Sequence, residues 1–317
     1  VKSAFDDFWA ALTSLREEAD QMPNLTSAQL GNNRSAAHLR LNGLSVVAFS
    51  VLEDFVRRRA YEVLHWLGSQ NVPFSALPGA LQSAILIGTL KGLNFSLERA
   101  EKADRGFIVQ LEGMLLGQTG ENGRFVPSEY FFGRSSSNIS DGAVKALLEA
   151  VGFGEVEKAV DHVGQVFRVA ISGNIFSIFG ALAKKRHSAA HAFPQNYLVA
   201  DFSEDVRRRI PVFAACFDAC LSQYAYHHAS DVASGRSSSF NQVDFLSSKA
   251  KLRVIEWNGV DKVWDEYLDG RRVKRYRGVS ALERRMDSFR SGEIGRGNSV
   301  LRMNEKGIIV DWISPVS

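Results

Sequence analysis

The sequence predicts a mainly α-helical protein, with a helical body over residues 1–230, a linker over 231–248 and a small basic α+β module over 249–317. Three observations point there. Apolar residues recur at three- and four-residue steps through the first 230 positions, the period of one buried helix face. After residue 250, short β-rich runs bounded by turn residues take over, as strands do. Between them, the stretch 229–239 holds five serines and a glycine and loses its apolar period. A length of 317 residues admits one large domain, or a large and a small one. With 45% hydrophobic residues, neither a disordered tail nor a coiled-coil rod fits.

The elements follow in order. Residues 1–22 form an acidic amphipathic helix stopped near Pro23, before a loop carrying Gly31, Asn32 and Asn33. The strongest helix spans 35–67, where Leu44, Val47, Val51, Leu52, Phe55, Val56, Val63, Leu64 and Leu67 mark the apolar face. Gly68 stands as its C-cap. Pro73, Pro78, Gly79, Gly88 and Gly92 divide the next stretch into shorter helical pieces up to about Leu116. Residues 117–142, with five glycines, one proline and the serines at 135–137, form a long loop. A helix restarts over 140–151 with Ser140 or Asp141 as cap. Residues 156–192 make one or two helices, broken near Gly173 and Gly180 and ended by Pro194. Asp201 with Glu204 resembles a capping box that opens a helix to about His228. In the C-terminal module KLRVIEW, SVLRM and IIVDWI are strands, the last two a hairpin across 304–307, and 280–290 is helical.

Several function classes drop out. Two cysteines, Cys216 and Cys220, cannot make a secreted disulfide framework, and their place in a helix suits small core residues. A zinc site with His227 or His228 lacks paired CxxC spacing. The first residues show no leader pattern, and the most apolar segments fall short of the ~20 residues that span a bilayer. A cytoplasmic protein with no membrane partner and no cofactor is expected. From Lys249 onward 15 Lys and Arg face 10 Asp and Glu, so a net charge of +3 divides into +5 on the module and −2 on the body. The cluster Arg271, Arg272, Lys274, Arg275 and Arg277, with Tyr276 among them, suits phosphate contact and base stacking. It equally suits a strand edge guarded by charge.

The segment ALAKKRHSAAHAF, residues 181–193, gathers Lys184, Lys185, Arg186, His187, Ser188 and His191. Three chemistries compete for it. His187 and His191, four apart, share a helix face as a zinc pair does, but Ser188 stands where a metalloprotease carries its general-base Glu. Cations at a helix terminus complement its dipole. The third is metal-independent phosphodiester cleavage: imidazole moves a proton near neutrality, and guanidinium holds phosphate oxygens and the charge that builds on the phosphorane. Arg186 and His191 lie five residues apart, about 140° round a helix. Two copies across a two-fold axis bring two of each into one cleft, so this chemistry predicts a homodimer through the motif helices.

The run from Arg186 to His191, Arg–x4–His with Ala190 before the histidine, resembles the signature of HEPN-superfamily ribonucleases. Asn is common after the arginine in that family, where this chain has His187. SVVAFSVLEDFVRRRAYEVL, with Glu53 inside an apolar run, resembles the early helix of the RiboL-PSP-type branch, and SNISDGAVKALLEAVGF the element before its motif helices. The resemblance covers roughly residues 35–228 and leaves the C-terminal module outside. It implies a HEPN-like helical bundle that dimerises and cleaves RNA, tRNA or mRNA, without metal, leaving 2′,3′-cyclic phosphate and 5′-hydroxyl ends. Carried over by position, Arg186 and His191 are the catalytic pair. His187, Lys184, Lys185 and Ser188 support or contact RNA and Glu53 orients the basic pair; outside the resemblance, the cations Arg271, Arg272, Lys274 and Arg275 are expected from their charge to help hold substrate or a partner. The biology implied is a toxin or antiphage effector restrained by an antitoxin or regulatory protein. The alternative is a non-catalytic module that binds RNA or a protein partner.

Overall fold

Ten α-helices, a 3-10 turn (Phe74–Ala76), a π-helical turn and five strands make up the regular structure of the described residues, which in this computed structural model are 3–22, 36–119, 125–134, 138–171, 173–191, 197–236, 250–292 and 297–316. Helix α1 (Ala4–Gln21) is capped by Ser3, whose Oγ accepts from the Asp6 N–H at 3.1 Å. Helix α2 (Ala36–Ser69) runs antiparallel to it, with Phe8 against Phe55 and Arg58 on Asp7 at 2.6 Å. Gly68 belongs to the last turn of α2 and is not its C-cap. A Cβ there would lie 2.2 Å from the Phe125 carbonyl oxygen, so the glycine serves a close approach.

The expected short pieces are two full helices, α3 (Gly79–Arg99) and α4 (Lys102–Gln118). Gly88 and Gly92 do not break α3. They let the backbone of Phe131 and Tyr130 lie against it, at 2.0 and 2.2 Å from where a Cβ would stand. Helix α4 also takes up Gly117, at the start of the expected loop. Ser140 caps α5 (Asp141–Ala150), its Oγ accepting from the Ala143 N–H at 3.1 Å. Helices α6 (Val156–Val166) and α7 (Ser177–His191) are separated around Gly173, at φ +90°, while Gly180 lies inside α7. Asp201 sits in the first turn of α8 (Val199–Glu204), where it accepts from the Leu198 N–H at 3.1 Å. It does not pair with Glu204. A π-helical turn over Asp205–Arg209 leads into α9 (Ile210–Ala233), which runs five residues beyond His228. Pro23, the 31–33 loop, Ser135–Ser137, Pro194 and linker residues 237–248 lie outside the described residues.

Helix α9 is apolar all round, as a helix must be when other elements enclose it. On one side it meets α2, α6 and α7, and on the other a five-stranded sheet. The sheet order is β3-β2-β1-β4-β5, from β1 (Lys251–Asn258), β2 (Val263–Leu268), β3 (Arg271–Tyr276), β4 (Asn298–Met303) and β5 (Ile309–Ile313). All pairs are antiparallel except β1 with β4, which α10 (Val279–Arg290) makes possible by crossing between β3 and β4. Leu252, Val254, Leu301 and Trp312 join the helical core, whereas Ile255, Trp264, Tyr276 and Val300 pack on Leu282, Met286 and Phe289 of α10. Strand β2 is absent from the expected set, whereas β3 is the charge-guarded edge strand that the 271–277 cluster suited. No helix among the described residues is long and apolar enough to cross a membrane.

Candidate functional site

Helix α7 begins where Asn174 Oδ1 accepts from the Phe176 and Ser177 N–H groups at 2.7 and 3.3 Å, satisfying donors a helix start leaves open. Asp161 Oδ1 takes the Ile175 N–H at 2.7 Å. Ile178, Phe179 and Leu182 then face the core, with the Phe179 ring 5.3 Å from Phe49 and 5.2 Å from Phe213. Gly180 makes room for the start of α5, since a Cβ there would lie 3.0 Å from Asp141 Oδ2. Beyond Leu182 the helix loses its buried apolar face. The motif occupies this outer half.

At ~100° per residue, Lys184, His187, Ser188 and His191 fall within one stripe of α7, and all four are exposed. The two imidazoles touch, with ring centroids 4.7 Å apart and planes at 50°. Arg186 lies half-buried on the other side of the helix. With the Asn138 amide oxygen turned toward it, that oxygen accepts from Arg186 Nε at 3.3 Å and Nη1 at 2.8 Å. The next residue, Ile139, donates its N–H to Glu53 Oε1 at 2.5 Å. Glu53 is thus a buried acceptor on α2 rather than a surface carboxylate, and it fixes the backbone beside Asn138. One chain therefore presents guanidinium and imidazoles on opposite sides of α7.

Lys185 is engaged elsewhere. Its Nζ lies 2.6 Å from Asp205 Oδ2 and 4.8 Å from the centre of the Tyr197 ring. Tyr197 donates its hydroxyl to the same oxygen at 2.6 Å, and Arg209 Nη1 reaches Asp205 Oδ1 at 2.9 Å. Burial and the neighbouring Asp205 push the Tyr197 phenol well above its ordinary range. Of the two motif lysines, Lys184 is the one on the exposed stripe. Asp205 also opens the π-helical turn, a distortion often found at functional sites.

The basic cluster of the C-terminal unit lies on β3, at an outer edge of the sheet. Arg275 Nε is 2.8 Å from buried Asp265 Oδ1, and its Nη2 is 2.8 Å from Asp261. Arg272 Nη1 lies 3.5 Å from Asp265 Oδ2. The Arg275 hydrogen bond holds the Asp265 carboxyl below its ordinary range. Arg271 and Lys274 are exposed and form no ion pair among the described residues. The main neighbours of β3 are β2 and α10, and those of α7 are α2, α5 and α9. The two basic groups thus sit on separate parts of the chain.

Cys216 and Cys220 are buried in α9, where burial raises both thiols well above their ordinary range. No three His, Cys, Asp or Glu side chains gather as a ligand set among the described residues. Sequence reasoning missed Asn138, Asp205 and Tyr197. Asn138 gives no local signal beyond an amide two positions before a helix cap. Comparison with family models, with curated proteins and with solved structures found no match to this chain.

Proposed function

We propose that the protein is a metal-independent endoribonuclease of HEPN type, acting as a homodimer through α7. The observation that carries the reading is the arrangement on α7: an arginine oriented by Asn138 and a pair of touching, solvent-facing histidines, on one exposed half-helix. Guanidinium and imidazole are the two groups that RNA transesterification needs. Because they diverge on one helix, the productive site is a cleft shared by two copies, which brings both arginines and both histidines together.

In that site one His191 takes the proton of the 2′-hydroxyl as its oxygen attacks phosphorus. Arg186 neutralises the extra charge on the phosphorane. The P–O5′ bond then breaks, and the leaving oxygen takes a proton from the second His191, giving a 2′,3′-cyclic phosphate and a 5′-hydroxyl. Lys184, His187 and Ser188 line the approach. Arg271 and Lys274 on β3 add electrostatic attraction for the phosphate backbone. The activity belongs to the toxin or antiphage-defence kind, held in check by an antitoxin or other regulatory protein.

Incubating the full chain with tRNA and total RNA in EDTA, followed by mapping of the ends, tests this. Cleavage with cyclic-phosphate ends is expected, falling ~10²–10⁴-fold in His191→Ala with the melting temperature unchanged. Loss of activity in EDTA, or full activity in His191→Ala, overturns the reading. The rival is a non-catalytic RNA- or protein-binding module, which the Arg186–Asn138 contact favours. It gives binding without turnover, and a lower melting temperature for Arg186→Ala.

A further inference from the structure

Helix α7 turns two ligand-type side chains to solvent, His187 and His191, one helical turn apart. Four residues bring their directions to within about 40° of each other. Their ring centroids are 4.7 Å apart. A zinc ion takes an imidazole nitrogen at ~2.0–2.1 Å and prefers tetrahedral angles. With one ion in the plane of both rings, that geometry sets the centroids roughly 5.2 Å apart. The observed pair therefore needs only a small rotation of two exposed rings to close on a single ion.

Neither ring is committed elsewhere. Among the described residues each touches the other and has no further hydrogen-bond, charged or ring partner. The cations nearby do little to repel a metal. Lys185 is paired with Asp205 at 2.6 Å, and Arg186 lies on the other side of the helix. Lys184 alone shares the stripe. One exposed charge changes an affinity by about two- to five-fold. Losing even an outer-shell partner costs 10–100-fold, so a second ligand contributes at least ~10-fold. Chelation wins.

The donor set also chooses the ion. Imidazole nitrogens without a carboxylate suit Zn²⁺, Ni²⁺ or Cu²⁺, whereas Mg²⁺ and Ca²⁺ take oxygen. No third His, Cys, Asp or Glu joins the pair among the described residues. Water completes the coordination, which makes the site open and exchangeable, unlike the closed sites that hold structural zinc.

We infer that His187 and His191 form a bidentate site for a borderline divalent ion, Zn²⁺ above all, and that the bound ion holds the α7 site inactive. Coordination occupies the nitrogen lone pair with which His191 takes the 2′-hydroxyl proton. A stronger ligand that strips the ion frees that nitrogen again. The regulatory role rests on the ribonuclease reading, and the metal site does not.

Titration calorimetry of the metal-free full chain with Zn²⁺, in the absence of RNA, reads the site by itself. The Kd is expected to rise at least ~10-fold in His187→Ala and in His191→Ala. Both side chains are exposed, so the melting temperature in EDTA should stay that of the wild type. Zn²⁺ should raise that temperature in the wild type and not in the variants. In the cleavage assay, saturating Zn²⁺ should lower the wild-type rate ~10²–10⁴-fold, EDTA should restore it, and Mg²⁺ should leave it unchanged. His187→Ala, whatever its rate in EDTA, should keep that rate in Zn²⁺. No zinc binding, or equal affinity in the wild type and both alanine variants, overturns the site. Wild-type cleavage that persists at saturating Zn²⁺ overturns the regulatory role. A chain that binds zinc through the pair and cleaves no RNA overturns the ribonuclease reading and leaves the metal site standing.

Discussion

Asn138, with its amide oxygen turned toward Arg186, and Glu53, on the backbone of Ile139, meet beside the motif helix. The amide oxygen holds the guanidinium, and the carboxylate holds the backbone next to the amide. Losing one hydrogen bond to a charged group costs ~1.5–3 kcal/mol. On the proposed ribonuclease reading, Asn138→Ala is therefore expected to lower kcat for RNA about 10- to 100-fold with KM little changed, whereas Glu53→Gln keeps an acceptor oxygen and most of the rate. Single-turnover cleavage measures both, and an Asn138→Ala enzyme at wild-type rate would falsify the orienting role. The β3 cations divide in the same concrete way. Arg271 and Lys274 have no carboxylate partner among the described residues, but Arg272 and Arg275 lie on Asp265. Replacing either of the first two with alanine should reduce the salt dependence of RNA binding by about one phosphate contact. Replacing Arg275 should mainly lower stability. That Arg186 and His191 point to different sides was legible in the sequence because both lie within one helix, where spacing alone fixes direction. Asn138 was not, because the contact joins positions nearly fifty residues apart, and only the packing of α5 on α7 brings them together.

Among the elements, the long helices were legible and the reasons for their glycines were not. Gly88 reads as a break, yet α3 runs through it because the Phe131 carbonyl needs the space of a side chain. Gly88→Ala should cost ~1–3 kcal/mol by forcing that backbone away, seen as a lower denaturation midpoint. Strand β2 was not legible for an electrostatic reason: VWDEYL puts Asp265 and Glu266 at fully buried positions, which hides the apolar alternation. Burial alone would raise the Glu266 carboxyl, but hydrogen bonds from Arg285 at 3.0 Å and from Tyr276 hold it below its ordinary range. Helix α9 carries a pH dependence of its own. Its buried His228, stacked 5.4 Å from Tyr224, is lowered from 6.5 to about 4, chiefly by burial. Since the unfolded chain binds this proton first, stability is full above pH 6.5 and falls as pH drops toward 4. The loss is on the order of 3 kcal/mol. Urea denaturation across that range should show it, and His228→Phe should flatten the slope; an unchanged slope removes His228 as its source.

At the scale of the whole molecule, the C-terminal sheet is joined to the helices by buried polar contacts. Arg59 of α2 lies 2.6 Å from Asp218 of α9, and its Nη2 reaches Ser222, Ser314 and the Val316 carbonyl oxygen. Trp312 of β5 donates its Nε1–H to Asp218 Oδ2 at 3.0 Å, and its ring meets Phe5, Phe8, Trp9 and Phe55. Gln223 of α9 donates to the Gly297 carbonyl at 2.9 Å and to Ser299 at 3.0 Å. A composition break near residue 235 can mark a linker, but it carries no information on whether the segments beside it share a core; that depends on Trp312 and Arg59, far apart in sequence. The expected consequence is cooperative unfolding. Calorimetry of the full chain should give one transition, because melting the sheet alone would strip Trp312 from Asp218, take Ser314 and the Val316 carbonyl from buried Arg59, and expose the aromatic cluster of α1 and α2. Asp218→Ala strands a buried guanidinium, at ~3–5 kcal/mol. Trp312→Ala opens a cavity of similar cost, ~3–5 kcal/mol. Each should move that one transition to lower temperature with helix and sheet signals lost together. Two separable transitions, or a Trp312→Ala chain whose helices melt as in the wild type, would show that sheet and helices fold independently. On the proposed ribonuclease reading, loosening Trp312, which shares the core that holds α7, should weaken RNA cleavage as well as stability.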